Sequence, residues 1–212
     1  MRPTPSQLRS LARRDPRLGR ALRLVPPLPD FPAEGAGRRR SRYEALARAI
    51  VFQQLSGKAA GTIWGRACAL TPGPRFPTPP ELDRLSDGDL RGAGLSGAKQ
   101  RALRDLAARI ADGRLRPRAL GHLEDEEVIE ELVTVRGIGR WTAQMFLLFQ
   151  LGRLDVMAPD DLGLQEGLRR LDGLDERPGP RELAARAEVW APLRSVASWT
   201  LWRLVDLEEV VV

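Results

Sequence analysis

Apolar residues recur three and four positions apart along almost the whole of this 212-residue chain, the spacing that gathers them on one face of an α-helix. Tyr43, Leu46, Ala47, Ile50 and Val51 form one such stripe. Ala60, Ile63, Trp64, Ala67 and Cys68 form the next, with Ser56 placed to cap its first turn. Leu103, Leu106, Ala107 and Ile110 mark a third helix, and Val128, Ile129, Leu132 and Val133 a fourth. The fourth opens on Glu124 to Glu127, which suits the positive end of a helix dipole. A further helix is expected from about Trp141 to Gln150, and another beyond Asp161 carrying Leu164, Leu168 and Leu171. The last has Leu193, Val196, Ala197, Thr200, Leu201 and Leu204 on one face, with Ser195, Ser198, Trp199 and Trp202 on another. Only the Val-rich end at 210–212 resembles a strand, so the spacing predicts an all-α fold. The Pro-rich residues 71–80 are expected as loop. Residues 1–40, through Arg38-Arg39-Arg40, are expected to begin helically and then wrap over the body.

Composition removes several classes of function. No apolar run approaches the roughly 20 residues of a membrane span, and no apolar leader follows Arg2, Arg9, Arg13 and Arg14, so the chain reads as cytoplasmic. One cysteine, Cys68, and one histidine, His122, exclude an intrachain disulfide, a cysteine- or histidine-built zinc site and a four-cysteine iron–sulfur cluster. The net charge of +6 favours a polyanionic partner. Only Lys58 and Lys99 among the 34 basic residues are lysines, so few amines are available for chemistry.

The most informative stretch is Leu132-Val133-Thr134-Val135-Arg136-Gly137-Ile138-Gly139-Arg140-Trp141-Thr142-Ala143. A helix ends, two glycines flank an apolar residue, and a second helix begins. Glycine permits the positive φ of a tight reversal and lets a phosphate approach the backbone. The amides opening the second helix favour an anion, and Ile138 is expected to lock the angle between the helices. Two readings stay open on the residues alone: a phosphate clamp, or a compact αα-turn with a glycine cap.

The stretch resembles the helix-hairpin-helix motif, here at about 126–150, that grips one DNA strand by its phosphates. Met157-Ala158-Pro159-Asp160-Asp161-Leu162-Gly163 follows, and with it the chain is similar to the helix-hairpin-helix DNA glycosylase superfamily. Gly137 to Ala143, Tyr43 to Ile50 with Gln53-Gln54-Leu55-Ser56, and Trp190 to Ser195 resemble the DNA-3-methyladenine glycosylase II (alkylbase) branch in its compact form. The resemblance covers roughly residues 42–205. It implies two helical subdomains flanking a DNA-binding and active-site cleft: a barrel at 41–155, and 1–40 joined with 156–212.

The same resemblance assigns roles. Asp161 is the catalytic carboxylate, and Asp160 takes the plain helix-capping role. Trp141, Trp202 and Met145 line the base pocket, Met145 standing where a related branch places an aromatic. Trp199 either joins that pocket or packs against the N-terminal strap. Gln54 plugs the gap left by a flipped base, Leu55 wedges the opposite stack, and Gln53 is a buried amide tying helix ends. Gly137, Gly139, Arg140, Thr142 and Lys99 contact phosphate, Lys99 from a second helix start at Gly94 to Lys99. The carbonyls of Val133, Val135 and Ile138 hold a monovalent cation, Na+ or K+; no other cofactor is required. Members that also cleave the strand carry a lysine where this chain has Trp141. The implied activity is therefore monofunctional: hydrolytic release of alkylated bases of the 3-methyladenine and 7-methylguanine type from duplex DNA, by a monomer bound to the nucleoid, as the first step of base excision repair. The alternatives are a glycosylase for uracil, mismatched or oxidised bases, and a non-catalytic helix-hairpin-helix DNA-binding module.

Overall fold

The computed structural model describes residues 2–29 and 40–207, and among them every regular element is helical. In chain order the α-helices are α1 Pro5–Arg14, α2 Pro16–Leu24, α3 Arg42–Phe52, α4 Gly57–Cys68, α5 Pro79–Arg84 and α6 Asp87–Gly92. There follow α7 Gly97–Ala111, α8 Asp125–Val133, α9 Arg140–Phe146, α10 Leu162–Asp172, α11 Pro180–Ala187 and α12 Arg194–Asp206. Arg38, Arg39 and the end at 210–212 lie outside the described residues. No helix among the described residues is long and apolar enough to cross a membrane.

The chain divides into two compact units, Met1–Ala36 with Leu147–Val212, and Gly37–Phe146. The sequence placed the later join at about 155; the chain instead enters the first unit at Leu147. The reason is local. Leu147–Leu151 widens into a π turn, and the strand of chain beyond it is laced to α12. Ser195 N–H donates to the Leu154 carbonyl at 2.9 Å, and its hydroxyl donates to Arg153 O at 2.7 Å and accepts from Val156 N–H at 3.0 Å. Arg194 grips Asp155 at 2.7 Å. Ser195 and Ser198 are thus buried, which their hydroxyls and not their helical register explain.

In this first unit α10 packs along α12, burying Leu164, Leu168 and Leu171 against the expected stripe of Leu193, Val196, Ala197, Thr200, Leu201 and Leu204. Each buried leucine contributes about 2 kcal/mol. The close approach depends on Gly167, where a Cβ would lie 2.5 Å from the Leu201 carbonyl oxygen. The N-terminal strap is two helices broken at Asp15, which caps α2 by accepting from Leu18 N–H at 3.0 Å. Asp15 also accepts from Trp190 Nε1 at 2.7 Å and Arg186 at 2.6 Å, and Arg186 reaches Asp172 at 2.8 Å.

The second unit is built around α3, whose Leu46, Ala47, Ile50 and Val51 are fully buried among α4, α7 and α9. Ser56 caps α4 as its position predicts. Residues 71–80 are not wholly loop: Pro79 and Pro80 open α5, since the first turn of a helix needs no amide from them. The short helices α5 and α6, and α11 in the other unit, lack enough turns to register in apolar spacing.

Candidate functional site

The loop between α8 and α9 buries Val135 and Ile138 and leaves Arg136, Gly137, Gly139 and Arg140 at the surface. Gly137 has φ +79°, the conformation the reversal requires. The loop is fastened from beneath by α7: Asp105 accepts the Arg136 amide at 2.7 Å, and Arg109 donates to Thr134 Oγ1 at 3.2 Å. Burial opposes ionisation of Asp105, but the Arg136 amide and Arg109 outweigh it and hold the carboxyl below its usual range.

Two expected phosphate ligands are directed elsewhere. The Thr142 hydroxyl is buried and accepts from Gln53 Nε2 at 3.3 Å. Arg140 makes a bidentate pair with Glu126 of α8 at 2.6 and 2.7 Å. This arginine lowers the Glu126 pKa, chiefly through the hydrogen bonds. The pair is exposed, so it contributes little to stability. Trp141 presents its indole at the surface with 45% exposure, and Met145 is half-buried one turn on. The expected cation ligands are neutral carbonyls only. Val135 O accepts from Ile138 N–H at 3.0 Å and keeps a second lone pair, a donor type that suits a monovalent ion.

After α3 the chain turns sharply. Gln54 has φ +55°, the one positive value on a described non-glycine residue, at a backbone cost of about 1 kcal/mol. Gln54 and Leu55 are both exposed. Gln53 makes a tie, donating to the Gly137 carbonyl at 2.9 Å, but it is half-buried rather than buried. Lys99 corrects its expected role. Its ammonium donates to the carbonyls of Val51 at 2.6 Å and Gln53 at 3.0 Å, closing the C-terminal end of α3, where a cation complements the helix dipole. Burial lowers its pKa.

In the other unit, Asp161 rather than Asp160 caps α10. Its Oδ1 accepts from Leu164 N–H at 2.9 Å and from the Trp202 indole Nε1 at 3.1 Å, while Asp160 is exposed. The capping assignment was therefore inverted. The apolar pattern places a helix start but cannot say which of two adjacent aspartates caps it. The indole contact shows that Asp161 is not given to capping alone. Trp202 stacks on Phe149, with centroids 5.8 Å apart at 24°. Phe149 escaped the sequence reading because the π turn that carries it departs from regular helical spacing. Gly163 makes room for the pair: a Cβ there would stand 3.1 Å from both Asp161 Oδ1 and Trp202 Cδ1. Trp199 packs on the strap, donating to Pro26 O at 2.9 Å with Arg203 over its ring at 4.7 Å.

Residues 47–192 match the family model described as the HhH-GPD superfamily of base excision DNA repair proteins. The chain belongs to this superfamily. It is 35% identical over 188 residues to the DNA-3-methyladenine glycosylase 1 of Schizosaccharomyces pombe, spanning 88% of this chain and 82% of that one. An S. pombe 3-methyladenine DNA glycosylase, Mag1, solved in complex with abasic DNA, superposes with a TM-score of 0.84 at 32% identity. That match covers 98% of this chain and 100% of Mag1. A DNA-3-methyladenine glycosidase from Bacillus halodurans gives 0.81 at 36% identity, over 95% and 91% of the two chains. The matched span of the HhH-GPD model contains the α8–α9 hairpin, the Gln54 loop and Asp161.

Proposed function

We propose that this HhH-GPD protein is a monofunctional DNA glycosylase that flips alkylated bases of the 3-methyladenine and 7-methylguanine type out of duplex DNA and hydrolyses their N-glycosidic bond. The observation that carries the reading is the Asp161–Trp202 pair, a carboxylate oriented by an indole that is itself stacked on Phe149. Breaking the bond develops positive charge on the sugar. A carboxylate held by the Leu164 amide and the Trp202 N–H can stabilise that charge and orient or deprotonate the attacking water. An alkylated base already bears positive charge and leaves as a neutral base, so little acid catalysis is needed. Aromatic faces favour such a cationic base, which is the role given to Trp202 and Trp141, with Met145 beside the latter.

Gly137 and Gly139 bring the hairpin backbone to a phosphate, with Arg140 released from Glu126 to join them. Gln54 fills the vacated position in the duplex and Leu55 wedges the opposite strand. The carbonyls of Val133, Val135 and Ile138 would hold Na+ or K+, whose charge would favour a phosphate. The position that supplies a Schiff-base lysine elsewhere in the superfamily is Trp141, so no strand cleavage accompanies base release. The protein works as a monomer inside the cell. Duplexes carrying 7-methylguanine, uracil or 8-oxoguanine test the reading: release of the first alone supports it. Release of uracil or 8-oxoguanine in preference points to a neutral-base enzyme, and release of nothing to a binding module.

A further inference from the structure

One face of α7 meets both DNA-contacting loops of its unit. Lys99 holds the end of α3 through the carbonyls of Val51 and Gln53, immediately before the exposed Gln54 with its positive φ. Ala102 Cβ would lie 3.2 Å from a Cβ on Gly137, and Asp105 binds the Arg136 amide. These three residues follow one another at three-residue intervals, so they share a helix face. Gln53 closes the circuit: its carbonyl accepts from Lys99 while its side-chain amide donates to Gly137 O and Thr142 Oγ1. The backbone of the Gln54 loop is thus held from one side by an ammonium on α7. From the other side it is held by an amide seated on the hairpin. A left-handed non-glycine residue persists only where its surroundings over-determine it, and here two side chains do so.

We propose that Lys99 and Gln53 are positioning residues that set the Gln54–Leu55 loop in register with the Gly137 hairpin, so that strand gripping and plug insertion act as one event. The proposal rests on the reading of Gln54 as the plug. Neither residue touches the reacting atoms, and both act through the loop they hold.

The test uses the full chain with two duplexes, one intact and one carrying a tetrahydrofuran abasic analogue beside 2-aminopurine, whose fluorescence rises when the stack is opened. Lys99→Met and Gln53→Met are expected to lower the preference for the abasic duplex about tenfold, while affinity for intact duplex stays within about twofold. The 2-aminopurine signal falls in parallel, and Lys99→Arg restores most of it. In a Gln54→Ala background neither substitution costs anything further, because the part they position is gone. A preference unchanged by Lys99→Met and Gln53→Met overturns the proposal. So does an equal further loss in the Gln54→Ala background, the mark of a merely structural role. Should Lys99→Met fail to fold, Gln53→Met, alone and in the Gln54→Ala background, reads the same link. A wild-type chain that releases alkylated base without preferring the abasic duplex overturns the plug reading of Gln54, and the link with it.

Discussion

At the scale of single residues, the carboxylate proposed as catalytic, Asp161, is also the one that caps α10, the role the sequence pattern assigns to Asp160. One oxygen accepts from the first turn of α10 and from Trp202, so the cap itself aims the carboxylate. Trp202→Phe keeps a ring against Phe149 and removes the indole donor. Base release should fall about tenfold with DNA affinity little changed, as single-turnover kinetics beside a binding titration would show. Gly163→Ala introduces a Cβ 3.1 Å from both members of the pair and should slow release by a similar factor without lowering the melting temperature in proportion. The candidate residues were picked out because Pro159-Asp160-Asp161 and Gln53-Gln54-Leu55 resemble family patterns. The partners were not. The hydrogen bond of Lys99 to Val51 and the stacking of Trp202 on Phe149 join residues far apart in sequence, and periodicity says nothing about such pairs.

Among elements, long amphipathic helices were readable since each buries a stripe: α3, α4, α7, α8 and α12 all stand where their apolar spacing puts them. The short α5, α6 and α11 and the π turn at Leu147–Leu151 were not, as one or two turns give no period to detect. The hairpin joining α8 to α9 carries its own restraint in the Arg140–Glu126 pair. Glu126→Gln should release Arg140 and tighten binding to undamaged duplex a few-fold at low salt, with the gain shrinking as salt rises. Unchanged affinity across a salt series would show that Arg140 never reaches phosphate. Gly167→Ala addresses the α10–α12 contact. Its Cβ meets the Leu201 carbonyl, so a loss of about 2–3 kcal/mol in denaturant unfolding is expected.

For the whole molecule, the strap is held to its own unit by a network in which buried Asp15 and Trp190 meet half-buried Arg186 and Asp172. Burial opposes the charge on Asp15, yet the Trp190 indole, the Leu18 amide and Arg186 outweigh it and depress its pKa. A depressed carboxyl stabilises the fold above its unfolded value near 3.8, and that contribution disappears as pH falls through the lower folded value. Asp15→Asn should cost about 2–4 kcal/mol at pH 7, and the gap to wild type should narrow as pH falls from the unfolded value through the lower folded one; urea unfolding at a series of pH values measures it. With the scaffold so held, the proposed activity depends on one carboxylate, Asp161, driving release of an alkylated base. Single-turnover release of 7-methylguanine from methylated duplex, followed by mass spectrometry for wild type and Asp161→Asn, tests it most directly. Asp161→Asn is expected to bind the duplex as wild type does and to lose about a hundredfold to ten-thousandfold in release; release at the wild-type rate would leave Asp161 no catalytic role.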